Sequence, residues 1–216
     1  MKRALAGGLA CAIGLALAAS GTGANVPGTT YVDKAGGYEI TIPKSWQTVP
    51  RSVAEVNALI AKLKKSKSTS DLAGYYKQLI STTEERKDLS VYRFQAFDWP
   101  ASLSQPIPVE VSVGIVAGKH AYTAKTFPPV AGVYANALAS NKGSKVTVPK
   151  PVTLPVGPAE LIEAIIPLGN GVSNGIELYL IPRGKYLYEL SFQIEASQLA
   201  SASLFTTIAK LFKFTS

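Results

Sequence analysis

The sequence predicts an α+β protein: an antiparallel β-sheet flanked by helices. Two observations carry this. Period-two apolar segments dominate the chain, as in Tyr38–Ile42, Val109–Ile115 and Tyr186–Glu195, whereas helical periodicity appears only in the middle and at the end. The strands also follow one another across short turns, without the regular strand–helix alternation that builds a parallel sheet.

The chain opens on a different kind of segment. Met1-Lys2-Arg3 is positive, Ala4 to Ala19 is apolar, and Thr22-Gly23-Ala24 ends in small residues, the layout of a secretory signal peptide over residues 1–24. A retained membrane helix needs about 20 apolar residues, more than this stretch offers. Gly8-Leu9-Ala10-Cys11 loosely resembles a lipobox, so acylation of Cys11 is a third reading, with a lipid anchor as its consequence. Cleavage after Ala24 places a single domain at residues 25–216 and removes the only cysteine. A chain of that length buries enough surface to fold without disulfides. The expected location is secreted or extracytoplasmic.

Asn25 to Thr30 is a polar lead-in, and Tyr31-Val32-Asp33 starts a short strand before Gly36-Gly37. In the next strand Tyr38, Ile40 and Ile42 share one face and Glu39 and Thr41 the other; Pro43 ends it and Trp46 folds back onto the sheet. Ser52 and Glu55 have capping-box spacing, opening a helix with Val53, Val56, Leu59, Ile60 and Leu63 on one face. A second helix follows around Asp71–Ile80. Together they read as a helical insert, 52–80, between the first main strands.

Leu89–Phe97 reads as a strand with no cleanly polar face, and Val109, Val111, Val113 and Ile115 line one side of the next. Thr126 to about Ser140 is a helix whose first turn accommodates Pro128 and Pro129; Val130, Val133, Tyr134, Ala137 and Leu138 are expected against the sheet. Lys145–Val148 is a short strand, Pro149–Pro158 a turn region, Ala159–Pro167 an apolar strand, and Gly169 to Gly175 a loop. Ile176–Ile181 and Tyr186–Glu195 form a hairpin around Pro182-Arg183-Gly184-Lys185. A terminal helix is expected over Ser197–Phe212, with Leu204, Ile208 and Leu211 as its stripe.

The chemistry legible here is sparse. His120, the one histidine, sits between Lys119 and Ala121 with no orienting carboxylate in its neighbourhood, and reads as a solvated loop residue. One histidine and no mature cysteine cannot assemble a zinc site of the usual ligands, and no cofactor motif is present. Glu160 and Glu163, three apart on a strand, are expected on opposite faces. Glu84, Glu85 and Asp88 read as a solvated connector, and Tyr75, Tyr76 and Trp46 as core. Charge is the remaining signal: 22 basic against 14 acidic residues give a net charge of +8. That favours anionic partners, and the concentrated run Lys62, Lys64, Lys65 and Lys67 is the candidate docking patch. The basic residues lack the interleaved aromatics that stack on bases, so nucleic acid is not expected.

Three stretches resemble one family. Gly37-Tyr38-Glu39-Ile40-Thr41-Ile42-Pro43-Lys44-Ser45-Trp46 is similar to its strand, proline and tryptophan opening. Leu154-Pro155-Val156-Gly157-Pro158-Ala159-Glu160-Leu161 is similar to the turn leading into its later strands, and Tyr186–Ile194 followed by Leu204–Phe212 to its close. On these the chain resembles the PsbP-like family, which includes LpqN-type bacterial envelope proteins. The resemblance implies an α-β-α sandwich and a binding or assembly role with no catalysis. The insert at 52–80 departs from the family's compact photosystem subunit, and no binding residue is carried over.

The expected function is therefore an exported, non-catalytic binding or assembly protein of the cell envelope. Its partner would be an envelope protein, an anionic polymer or a small apolar ligand, with at most peripheral membrane association. A secreted hydrolase working through carboxylates, or a carrier of an apolar ligand, are the alternatives.

Overall fold

A computed structural model describes residues 28–49, 92–98 and 105–215, with the separate positions Ala54, Asn57, Ala58 and Ala61. The signal peptide, the patch Lys62, Lys64, Lys65 and Lys67, Tyr75, Tyr76, Glu84, Glu85 and Asp88 lie outside the described residues. So does the insert apart from those four positions, which are helical and exposed.

The strands are β1 (Gly28–Asp33), β2 (Tyr38–Pro43), β3 (Trp46–Thr48), β4 (Tyr92–Asp98), β5 (Glu110–Ala117), β6 (Lys145–Val146), β7 (Lys150–Leu154), β8 (Gly157–Gly169), β9 (Val172–Arg183), β10 (Tyr186–Glu195) and β11 (Lys213–Phe214). Helix α1 (Phe127–Ala139) lies between β5 and β6, and α2 (Ser203–Leu211) between β10 and β11. The large sheet runs β3-β4-β5-β10-β9-β8-β6 with β7 also on β8; the small one runs β1-β2-β11. Every pairing is antiparallel.

Strand alternation sends side chains to two cores. On one face of the large sheet, Val111, Val113, Tyr179, Ile181, Leu190 and Phe192 meet Tyr38, Ile40 and Ile42 of β2 and Phe205, Ile208 and Phe212. On the other, Ile162, Leu178, Leu180 and Leu187 meet Phe127, Ala131 and Ala135 of α1. Each large apolar side chain buried this way contributes about 2 kcal/mol. Both faces being covered explains why β4 showed no cleanly polar face. Glu110 and Ser112, expected on a wetter face, are 8% and 2% exposed, and Gln95 Nε2 donates to Glu110 Oε1 at 2.7 Å.

Several expectations shift. The buried stripe of α1 is Phe127, Ala131 and Ala135, flanked by Val130, Tyr134 and Leu138; Val133 is 66% exposed and Ala137 is exposed. At about 100° per residue, Val133 falls on the far side of the helix from Phe127 and Ala131. The region Pro149–Pro158 holds a strand, β7. Pro151 is tolerated because β7 is an edge strand with no second neighbour awaiting its N–H. Asn174 and Gly175 belong to β9, so the loop contracts to Asn170-Gly171, both at positive φ (51° and 77°), as a two-residue hairpin turn of this kind requires. The terminal helix divides into a 3₁₀ segment, Ala196–Ser201, and α2, and the chain then pairs Lys213 and Phe214 with β2. Trp46 is buried as expected, within β3.

Candidate functional site

A cleft of about 460 Å³ lies between the start of α1 and the β7–β8 hairpin. Local hydrogen bonding sets its first wall. Gly118 N and Tyr122 N donate to the carbonyls of Lys185 and Gly184 at 2.7 and 2.8 Å, tying the loop before α1 to the β9–β10 turn. Thr123 and Thr126 then cap each other: Thr123 N donates to Thr126 Oγ1 at 2.9 Å and Thr126 N to Thr123 Oγ1 at 3.2 Å. These bonds brace the turn that leads into α1; Phe127 N, the first N–H of the helix, donates to Thr123 O at 2.9 Å, and Pro128 has none to satisfy. The result fixes Tyr122 and Phe127 edge to face, ring centroids 6.3 Å apart, on the cleft wall.

The opposite wall is the β7–β8 hairpin, with Pro151 in register with Glu160 and Val152 with Ala159; Pro182 and Gly184 close one end. Pro, Tyr and Phe make the lining mostly apolar, and Glu160 is its one carboxylate. Glu160 points to the same face of β8 as the buried Ile162, is 7% exposed, and makes no hydrogen bond or ion pair among the described residues. Burial raises its pKa. A partly desolvated carboxylate without a donor is ready to accept one from a ligand, as an ammonium, N–H or O–H.

Three further acids bear on hydrolysis. Glu160 and Glu189 both pair in register with Leu180, so they stand on one face, two strand spacings or about 10 Å apart. Glu189, however, accepts from Tyr134 Oη of α1 and is not part of the cleft lining. Burial is the main cause raising the Glu189 carboxyl and the Tyr134 hydroxyl; the hydrogen bond pulls Glu189 the other way and adds to the rise in Tyr134. Glu163 and Glu177 face each other directly across β8 and β9. Glu163 takes Lys150 Nζ at 2.8 Å, and Glu177 accepts from Tyr179 Oη at 3.1 Å. Burial raises Glu177 most, Glu163 adds to the rise, and Tyr179 opposes it. That pair also lies outside the cleft.

The fate of the expected residues is therefore mixed. Glu160 and Glu163 do lie on opposite faces: Glu160 opens on the cleft below α1, whereas Glu163 faces Lys150. His120 is exposed in the loop leading to Tyr122 and takes no part in the cleft lining. Among the described residues, no group of three His, Cys, Asp or Glu side chains is placed to hold a metal. The cleft itself was not foreseen. The available signal was an acid at an inward position of an apolar strand, in Ala159-Glu160-Leu161-Ile162.

No protein-family model and no curated protein matches the sequence. Solved structures do. The cyanobacterial PsbP protein CyanoP of Synechocystis sp. PCC 6803 superposes with a TM-score of 0.55 at 14% identity, covering 92% of this chain and 98% of that one. The fold is PsbP-like. A Bacteroides thetaiotaomicron VPI-5482 protein aligns at a TM-score of 0.50 and 8% identity over 88% of this chain, which spans about half (49%) of that protein. LpqN of Mycobacterium tuberculosis, described as involved in cell envelope biogenesis, aligns at 0.48 and 13% identity, covering 88% and 86%. At such identities the likeness speaks to fold alone. Within the PsbP-like fold of this chain, β8 carries both acids: its even positions face α1 and the cleft, its odd positions the side of the sheet covered by β2 and α2.

Proposed function

We propose that this chain is an exported, non-catalytic binding protein of the cell envelope, and that it holds its ligand in the Glu160 cleft. The ligand is an apolar group carrying one hydrogen-bond donor or cationic nitrogen. The observation that carries this reading is the cleft's composition: aromatic and proline walls around a single buried carboxylate that has no donor among the described residues. Its volume lies within the range of small-molecule sites. Export rests on the signal-peptide layout of residues 1–24.

Binding is favoured over hydrolysis because the cleft offers one acid. Glu189, the nearest second carboxyl on that face, is taken by Tyr134, and Glu163 and Glu177 have their own partners elsewhere. Native mass spectrometry of the protein purified from its own envelope tests the reading. It should show a retained small molecule that Ala124→Trp, which fills the cleft from its exposed rim, displaces. Retention unaffected by Ala124→Trp would place the ligand elsewhere.

A further inference from the structure

The end of the molecule beside the cleft gathers cations from three separate stretches. The loop after β5 supplies Lys119 and Lys125, the β9–β10 turn supplies Lys185, and the β1–β2 turn supplies Lys34; all four are exposed. Backbone hydrogen bonds hold the first two stretches together, Gly118 N to Lys185 O and Tyr122 N to Gly184 O. The third is brought in by Arg183, whose Nη1 donates to Gly37 O at 2.9 Å. Residues 114–126 and 182–188 contain no Asp or Glu. The nearby acids are committed: Asp33 to Arg93 at 2.7 Å, Glu39 to Lys213 at 3.2 Å. None of the four lysines forms an ion pair among the described residues.

The same end exposes apolar surface. Tyr186 is 43% exposed on the face it shares with Ala117, Val116 is 37% exposed on the opposite face of the same sheet end, and Lys185 Nζ lies 5.5 Å from the centre of the Tyr186 ring. An exposed aromatic ring with a polar tip, on an end that carries lysines, is the combination that settles at a lipid head-group layer. Lysines attract an anionic surface as point charges, without the bidentate geometry by which arginine selects one carboxylate or phosphate. We propose that this end docks on an anionic lipid surface, with Lys34, Lys119, Lys125 and Lys185 over the head groups and Tyr186 entering between them.

Vesicle flotation tests this. The full chain would be compared on phosphatidylglycerol–phosphatidylcholine vesicles and on phosphatidylcholine alone, with soluble polyglutamate as the non-lipid polyanion. Two variants of equal net charge share its N-terminus: Lys119→Glu/Lys125→Glu/Lys185→Glu, and a control at exposed positions elsewhere, Lys142→Glu/Lys145→Glu/Lys210→Glu. Each lysine at an anionic leaflet strengthens binding roughly fivefold, so losing three and gaining three repelled carboxylates should weaken vesicle binding by at least about a hundredfold. The control should change it only a few-fold, and added salt should weaken the wild type. Tyr186→Ser should weaken vesicle binding and leave polyglutamate binding unchanged. Equal losses in both triples would reduce the effect to net charge and overturn the assignment. So would equal binding to phosphatidylcholine alone, or an unchanged affinity for vesicles in Tyr186→Ser. Circular dichroism of each variant confirms that folding is kept.

Discussion

At the scale of single residues, Glu160 contrasts with the other glutamates of the large sheet. Glu110, Glu163, Glu177 and Glu189 each have a side-chain donor, whereas Glu160 has none among the described residues. Its raised pKa has a sign that can be tested. The folded chain keeps this proton to higher pH than the unfolded chain, for which the carboxyl titrates near 4.5. Stability is therefore fully present below that value and falls as pH rises through the raised folded value. Glu160→Gln removes the charge without removing the shape. It should melt at a higher temperature than the wild type at neutral pH, with the gap closing as pH falls below the ordinary carboxylate range. Calorimetry across pH checks this, and a lower melting temperature for Glu160→Gln at neutral pH would contradict it.

At the scale of elements, the strands were legible because alternation is a short-range signal. Tyr38–Pro43, Glu110–Ala117 and Tyr186–Glu195 fall where the pattern placed them. What the pattern could not show was how elements constrain one another. Asn174-Gly175 reads as a turn, yet Gly175 lies in β9 because the 3₁₀ segment crosses it closely. A Cβ there would sit 3.1 Å from Ala196 Cα and 3.1 Å from Leu199 Cβ. Gly175→Ala must push backbone aside and should cost about 2 kcal/mol, measured by urea unfolding. Strand β7 escaped notice for the converse reason: Pro151 within it and the prolines around it signal a turn, and only its place at the sheet edge makes Pro151 admissible. The cleft was equally hidden, since its walls come from four stretches joined only by the fold: the loop before α1, β7, β8 and the β9–β10 turn.

At the scale of the whole molecule, the small sheet is clamped to the large one through the β1–β2 turn. Arg93 of β4 grips the buried Asp33 with two bonds, of 2.7 and 2.9 Å. Tyr188 Oη donates to Gly36 O at 2.8 Å, and Arg183 donates to Gly37 O and Thr215 O while its guanidinium lies 4.5 Å from the Phe214 ring centre. No sequence pattern pairs Asp33 with Arg93 across so long a separation. Arg93→Ala takes the bidentate partner from a buried carboxylate and should cost about 3 kcal/mol, measured by the midpoint of denaturant unfolding. A loss below about 0.5 kcal/mol would show that the clamp does not depend on this pair.

The cleft is the central claim, and ligand titration followed by NMR of the Tyr122 and Phe127 ring signals tests it most directly. Benzylamine, benzyl alcohol and benzoate share one apolar ring and differ only in the group offered to Glu160. Benzylamine should shift both rings and bind most tightly, benzoate least, and Glu160→Gln should abolish that order while leaving weak binding of the ring. Shifts confined to residues away from the cleft, or an order that survives Glu160→Gln, would contradict the account.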